Sequence, residues 1–460
     1  MRETIVASPV TAAVAGLSDH CHTHIHAAVD VSARLDPSLL QRALVEVAKA
    51  VPKLRGRFRP GFWRSRWDLD LNPRWRIEEH ESVDFSSAQA IERELFARPF
   101  EPYGSLPLEL EILHLSSHDR LLARVNHHLC DGGGTKNLLY RIAAAYGALQ
   151  KNDSWTAKEE PFQQPHPLPR LLVATRSFSS WKLFRGIFRD VVSQLGGPFV
   201  SVPMVPSARG PNRFISVHIA PERVKRLKEV FSSSGITLND MSLFALLKAL
   251  EDFVAPNERR SRIMGIIATA DFRLLLPGPQ EDVSNLSVIG PLRFGKARPV
   301  SDDELLRAVC EETSTWKAGA TGLGGALISL LGASIAPHGL TKWAFRKLVG
   351  LSVGRMGRRV ALTNMGIIEE ERLDFGTGPC LAARFTGPVG HPPQLIAALT
   401  GCRGGLDFNL TWREGALAPK IPERLIERFD SALQGLERRE PTSRSEKSPL
   451  SSKFAWRRNS

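Results

Sequence analysis

Cysteine is scarce and scattered: five residues in 460 (Cys21, Cys130, Cys310, Cys380, Cys402), with no CxxC pair. Such spacing argues against a disulfide framework or a structural zinc site and suits a reducing compartment. A secretory leader is not expected, because residues 1–16 are only mildly apolar, set Glu3 beside Arg2 and are broken by Pro9. No apolar run is both long and clean. The twenty uncharged residues 318–337 hold five glycines and end at Pro337, which suits a loop and a short buried helix better than a membrane span. Zinc-finger and RNA-binding signatures are absent, so no nucleic-acid partner is expected. With 42% apolar and 24% charged residues, disorder is excluded for most of the chain. The expected location is the cytoplasm.

A chain of 460 residues exceeds one ordinary core and points to two or three packed lobes. Its net charge of +13 is local. Residues 170–190 carry +4, residues 341–359 carry +6 and residues 443–460 carry +4, which leaves the remainder near neutral. Patches of this kind suit phosphates, an acidic protein partner or an anionic membrane surface. In the first of them Trp181, Phe184, Phe188, Val191 and Leu195 recur at helical spacing, flanked by Lys182, Arg185 and Arg189. Two readings stay open: an interfacial helix with peripheral contact at the inner membrane face, and a helix docked between lobes with its arginines outward.

The first half reads as mixed α/β. Residues 21–29 are strand-like, then Asp36 and Pro37 open an amphipathic helix through Leu39, Leu40, Ala43, Leu44 and Val47. Residues 106–115 alternate leucine and glutamate as a strand, residues 116–119 turn, and residues 121–127 return as the hairpin partner. A helix over about residues 135–149 follows. The second half repeats the grammar with a strand at 214–219, a helix from Pro221, a helix capped by Thr237 or Asn239, and strands near 263–269, 359–363, 381–385, 395–400 and 406–412. The expected organisation is a lobe over 1–165, a basic crossover over 166–212, a second lobe over 213–440 and a disordered basic tail over 441–460.

Chemistry concentrates at Asn126-His127-His128-Leu129-Cys130-Asp131-Gly132-Gly133-Gly134. Leu121, Ala123, Val125 and His127 share one strand parity, so His127 is expected to point inward. Leu122, Arg124, Asn126 and His128 share the other, mostly polar, parity. An imidazole at a strand end, before a glycine turn and a helix, serves as a general base when its tautomer is fixed. Asp131 is placed to fold back and hold the turn, and the glycines are expected to supply positive φ and room for substrate. His20, His22, His24 and His26 form a separate histidine face. That geometry allows a metal site, but no matching set of ligands follows, so a polar strand face is expected and no metal.

The pattern resembles the chloramphenicol-acetyltransferase-like superfamily, which holds nonribosomal peptide condensation domains, polyketide-associated acyltransferases, wax ester synthases and plant BAHD acyltransferases. Their HHxxxDG or HxxxDG signature falls on His127, Asp131 and Gly132, with Asn126 in place of the first histidine; His128 fails the spacing. The runs from Leu35 (LDPSLLQRALVEVAKAVPKLRGRF), Gly235 (GITLNDMSLFALLKAL) and Val283 (VSNLSVIGPLRF) are similar to family segments. Residues 374–378 (DFGTG) are similar to the DFGWG of the plant enzymes without its tryptophan. The aspartate of that motif is structural, which implies a pair between Asp374 and Arg273.

The resemblance implies two similar α/β lobes with mixed sheets around a central tunnel, with His127 midway, the acyl donor at one mouth and the acceptor at the other. His127 would deprotonate an alcohol or amine as it attacks a thioester carbonyl, with no acyl-enzyme. Asn285, Asn364 or N–H groups of the glycine loop are the implied oxyanion or substrate contacts. The donor would be a coenzyme A thioester or a thioester on the phosphopantetheine arm of an acyl carrier protein, so the co-substrate is the only cofactor implied. The expected state is a monomer. The alternative is a noncatalytic condensation-like module that binds a carrier protein or a membrane.

Overall fold

The computed structural model describes residues 3–18, 21–32, 34–156, 181, 184–186, 188, 199–205, 208–255, 262–271, 273, 281–296, 301–318, 334–355, 359–390 and 395–440. His20, most of the crossover, most of the apolar run 318–337 and the tail 441–460 lie outside these residues. The first half forms β1 (Thr4–Val6), α1 (Pro9–Leu17), β2 (Cys21–His22), β3 (His24–Val31), α2 (Pro37–Ala50) and β4 (Gly56–Arg59). It continues with β5 (Arg66–Leu69), β6 (Arg76–Val83), α3 (Phe85–Ala97), β7 (Leu108–Leu115), β8 (Asp119–Asn126) and α4 (Gly132–Gln150). The second half forms β9 (Asn212–Ile219), α5 (Pro221–Val230), α6 (Leu238–Glu251), β10 (Ile263–Asp271), β11 (Ser287–Lys296), α7 (Asp302–Ala318) and α8 (His338–Arg355). It closes with β12 (Ala361–Ile367), β13 (Ala382–Thr386), β14 (Val389–Gly390), β15 (Ile396–Cys402), β16 (Gly405–Arg413) and α9 (Ile421–Glu437).

Two mixed sheets carry the architecture. One has the order β13-β3-β8-β7-β6 and the other β11-β10-β12-β15-β16-β9. In the first, β6 runs parallel to β7; in the second, β12 runs parallel to both β10 and β15. The remaining pairs in both sheets are antiparallel.

Local chemistry accounts for the elements. Asp36 accepts from the Ser38 and Leu39 N–H groups at 2.7 and 3.3 Å and Pro37 opens α2, while Leu40, Ala43, Leu44 and Val47 face the core. Thr237 and Asp240 form a capping box on α6. Leu108, Leu110 and Ile112 of β7 meet Leu121, Ala123 and Val125 of β8 in the first core, together with α2 and α4.

The opposite, mostly polar face of β8 is covered as well. Ala28, Leu113 and Leu122 pack there against Ala88 and Leu95 of α3. Arg124 is fully buried, its guanidinium 5.0 Å from the Phe100 ring centre and 3.1 Å from Glu109. Burial lowers the Arg124 pKa to about 10 despite the neighbouring carboxylate.

Strand β13 belongs to the second half of the chain but pairs with β3, Phe385 opposite Ala27. β14 pairs in the same way with β2, Val389 opposite His22. Two strand pairings therefore stitch the halves together. Pro291 sits in β11, the edge strand of its sheet, where a missing N–H is tolerated. Among the described residues no helix is long and apolar enough to cross a membrane. Trp181, Phe184 and Phe188 are 57–64% exposed, so these three rings do not dock against the body of the protein.

Candidate active site

The turn that follows β8 starts at His127, whose N–H donates to the Thr23 carbonyl at 2.9 Å. Its half-buried ring reaches Asn285, just ahead of β11, with Nδ1 2.9 Å from Oδ1. The Asn285 Nδ2 donates to the His127 carbonyl, also at 2.9 Å. A carbonyl can only accept, so the amide nitrogen must face it and the amide oxygen must face the ring. Nδ1 then carries the hydrogen, and Nε2 keeps its lone pair, as a general base requires. Asn285 is therefore engaged in fixing the histidine, a positioning task the sequence reading had not assigned to it.

Asp131 is buried and caps α4, accepting from Gly134 N–H at 2.8 Å. Its other oxygen accepts from the Leu286 and Ser287 N–H groups, each at 2.6 Å. Arg273 lies 2.9 Å away and also donates to the Ser284 carbonyl. Burial alone would raise the Asp131 pKa; Arg273 and the N–H groups of Gly134 and Leu286 outweigh it and hold the carboxylate below its ordinary range. The expected fold-back of Asp131 is present, but the same carboxylate also bolts the turn onto residues 284–287 of the second half.

The implied pair of Arg273 with Asp374 is not formed. Arg273 pairs with Asp131 and, at 3.1 Å, with Asp271. Asp374 instead accepts from Gly376 and Gly378 N–H at 2.7 and 2.9 Å, a local turn in which both glycines have positive φ. Asp271, Ser284, Leu286 and Ser287 were missed as members of the site. Ser284, Leu286 and Ser287 lie in the similar run from Val283, which spacing alone could not bring to residue 131, and Asp271 stands two residues before Arg273.

The glycines act through space and not through positive φ, which none of Gly132, Gly133 and Gly134 adopts. They form the first turn of α4. A Cβ at Gly132 would lie 2.2 Å from the Met365 sulfur, one at Gly133 2.6 Å from an Asp271 oxygen, and one at Gly134 2.9 Å from the Ser284 carbonyl oxygen. The helix start can approach the second half this closely only without side chains.

Asn364 and His128 are bonded to other partners. The Asn364 amide donates to Asn239 Oδ1 at 3.0 Å and its oxygen accepts from Gly366 N–H. His128 points away, its Nδ1 3.2 Å from the Pro102 carbonyl, its Nε2 3.1 Å from the Ser18 hydroxyl and its ring stacked on Tyr103. Burial drives its pKa down to about 3. Asn126, in place of the family's first histidine, is structural: it accepts from His128 N–H and donates to the Pro102 carbonyl.

The histidine face of β2 and β3 does not have the character of a cation site. His24 and His26 are buried beside Phe96, and His24 is also beside Phe100. Desolvation and the Arg124 charge hold both rings neutral, well below 6.5. Neither carboxylate–histidine cluster among the described residues, Glu78–His80–Glu111 and Glu79–Glu81–His114, includes them. Arg98 pairs with Glu111 and Arg34 with Glu81 in those two clusters.

Three buried neutral histidines have a consequence for stability. Below about pH 6.5 the unfolded chain takes up protons that folded His24, His26 and His128 refuse. Stability should thus be full above that pH and fall as pH drops, by up to ~1.4 kcal/mol per pH unit for each ring. Urea midpoints at neutral and mildly acidic pH measure this, and equal midpoints would mean that the folded rings accept protons.

No protein-family model matches the chain, and no curated protein matches it by sequence. Solved structures do match. A trichothecene 15-O-acetyltransferase from Fusarium sporotrichioides aligns with a TM-score of 0.71 at 11% identity, over 95% of this chain and 95% of that one. The first condensation domain of the calcium-dependent antibiotic synthetase, in complex with a substrate analogue, aligns with a TM-score of 0.68 at 18% identity, over 97% and 98%. The epimerization domain from the third module of tyrocidine synthetase B aligns with a TM-score of 0.66 at 12% identity, over 95% and 96%. The chain thus has the mixed α/β, two-lobed, chloramphenicol-acetyltransferase-like fold of condensation domains.

Proposed function

We propose that the protein is an acyltransferase that moves an acyl group from a thioester to an alcohol or amine, with His127 as general base. The observation that carries this reading is the Asn285 clamp, which leaves Nε2 of a half-buried histidine as a free acceptor. Nε2 takes the acceptor proton as the oxygen or nitrogen attacks the thioester carbonyl carbon. The tetrahedral intermediate then collapses, the C–S bond breaks, and the proton passes to the leaving thiolate. With Asn285, Asn364 and the Gly134 N–H engaged elsewhere, the Gly132 and Gly133 N–H groups are the remaining candidates for the oxyanion.

The thioester belongs to coenzyme A or to the phosphopantetheine arm of a carrier protein. Either is a co-substrate, and the basic patches favour both. The protein is read as cytoplasmic, with a peripheral membrane contact. The direct test is to incubate it with acyl thioesters and candidate alcohols and follow thiol release together with ester formation. No acyl transfer to any acceptor, with tight carrier binding retained, would instead favour the noncatalytic module.

Asn285 provides a sharper test of tautomer control. Asn285→Ala should lower kcat ~10²-fold with little change in thioester KM, because the ring loses its orientation and its fixed tautomer. Asn285→Asp should move the acid limb of the pH–rate profile upward, since a carboxylate beside Nδ1 stabilises the imidazolium. An unmoved profile in Asn285→Asp would remove the ring contact from the mechanism.

A further inference from the structure

The β4–β5 hairpin tip and the start of α8 form a surface that acyl transfer does not use. Phe62 and Trp63 stand at the tip, 62% and 73% exposed, their rings packed edge to face at 5.2 Å. Ile335, Leu340 and Trp343 on the neighbouring segment are 84%, 47% and 53% exposed. The two segments are tied rigidly together. His338 N–H donates to the Trp63 carbonyl at 3.2 Å, Gly339 N–H to the Phe62 carbonyl at 2.7 Å, and Ser65 N–H to the buried His338 Nδ1 at 2.9 Å. Gly339 lets the Phe62 ring lie against the helix start, since a Cβ there would come within 2.6 Å of it. The rings are therefore held outward by the fold.

Cations lie on the same two segments. The hairpin carries exposed Arg64, with Arg59 and Arg66 sharing the single acid Asp68, and α8 adds exposed Arg346 and Lys347 with no acid, while Lys342 turns to the Tyr103 hydroxyl. The α8 segment is in turn seated on α1, where Gly16 permits an approach in which a Cβ would lie 2.9 Å from the Lys342 carbonyl oxygen.

We infer that this surface docks the protein on an anionic lipid bilayer, with Phe62, Trp63, Leu340 and Trp343 entering the headgroup boundary and the basic side chains meeting lipid phosphates. Protruding tryptophan and phenylalanine beside lysine and arginine is the composition of an interfacial anchor. A second copy of the chain is a poor occupant, because a twofold contact would oppose two patches of the same positive sign. The inference is independent of acyl transfer. It places the membrane contact on a surface other than residues 181–195, for which the sequence left an interfacial and a docked reading open.

The test is cosedimentation of the full chain with vesicles of phosphatidylcholine alone and of phosphatidylcholine mixed with phosphatidylglycerol. Wild type should partition onto the mixed vesicles, less so at high salt, and little onto phosphatidylcholine. Phe62→Ser/Trp63→Ser should weaken that partition by at least ~10-fold. Arg64→Glu/Lys347→Glu should abolish the difference between the two lipids. Thiol release with a short water-soluble acceptor should be unchanged in both variants. Trp181→Ser/Phe184→Ser should partition as wild type does. Failure of wild type to bind mixed vesicles at low salt, equal binding to both lipids, or undiminished binding of Phe62→Ser/Trp63→Ser overturns the inference. Capture of an acidic protein in place of mixed vesicles does the same.

Discussion

His127→Ala is expected to lower acyl transfer by ~10²–10⁴-fold while the fold and thioester binding persist. The ring is half-buried, and its side-chain contact in the described residues is the Asn285 amide oxygen. Removing it leaves a small polar space beside a clamp that still holds the backbone carbonyl through Nδ2. The loss should appear in kcat, because a base acts in the transition state and contributes little to binding the donor. Circular dichroism and a thioester binding titration distinguish loss of chemistry from loss of structure. His128→Ala is the matched control: that ring faces Pro102, Ser18 and Tyr103, so it should reduce stability while leaving most of the specific activity of the folded fraction. Full turnover in His127→Ala would sink the proposal.

Asp131→Ala should destabilise the protein by ~3–5 kcal/mol, the range for removing one partner of a buried ion pair. The carboxylate serves Gly134, Leu286, Ser287 and Arg273 together, so its loss leaves a buried guanidinium and several N–H groups without their acceptor. Arg273 retains Asp271 and the Ser284 carbonyl, which limits the damage. Asp131→Asn should cost less, because one amide oxygen can still accept. Urea unfolding gives both values. The sign of the pH dependence follows from the lowered pKa: the contribution is complete above the ordinary carboxylate value of 3.8 and is lost as pH falls below it. The gap between wild type and Asp131→Asn should accordingly stay level from about pH 5 to 8 and narrow in strong acid. A gap that shrinks already at neutral pH would show that the buried pair is not what Asp131 contributes.

The two variants bear on different parts of one turn. His127 is the proposed base and Asp131 faces the joint between the halves, and both are held by the same four residues, Ser284 to Ser287. A substitution that shifts that segment would disturb the tautomer and the cap at once, so effects of Asn285 and Asp131 variants are not expected to add.

Local patterns carried much of the fold. Asp36-Pro37 and Thr237 mark helix starts because a cap needs only a side chain and the next three residues. The leucine–glutamate alternation in β7 marks a strand because side chains of a pleated chain alternate by geometry. The polar parity of β8 left open what covers it, since alternation cannot tell water from a second covering layer; α3 and the Arg124–Glu109 pair fill that face. The pair of Asp374 with Arg273, implied by the resemblance, also fails: residues 374–378 are satisfied within their own turn, whereas Arg273 pairs with Asp271 and with Asp131, 142 positions away.

By itself the amino-acid sequence determined the strands and helices whose signals are local, and the run of residues 126–134 on which the proposed chemistry rests. Only the tertiary structure decided that β13 and β14 return to the first half, that Asn285 sets the proton on His127, and that Arg273 answers Asp131. Periodicity and capping act within a few residues, while strand pairing and buried charge pairing depend on which distant segments share a space. That partnership is chosen by the packing of the whole chain.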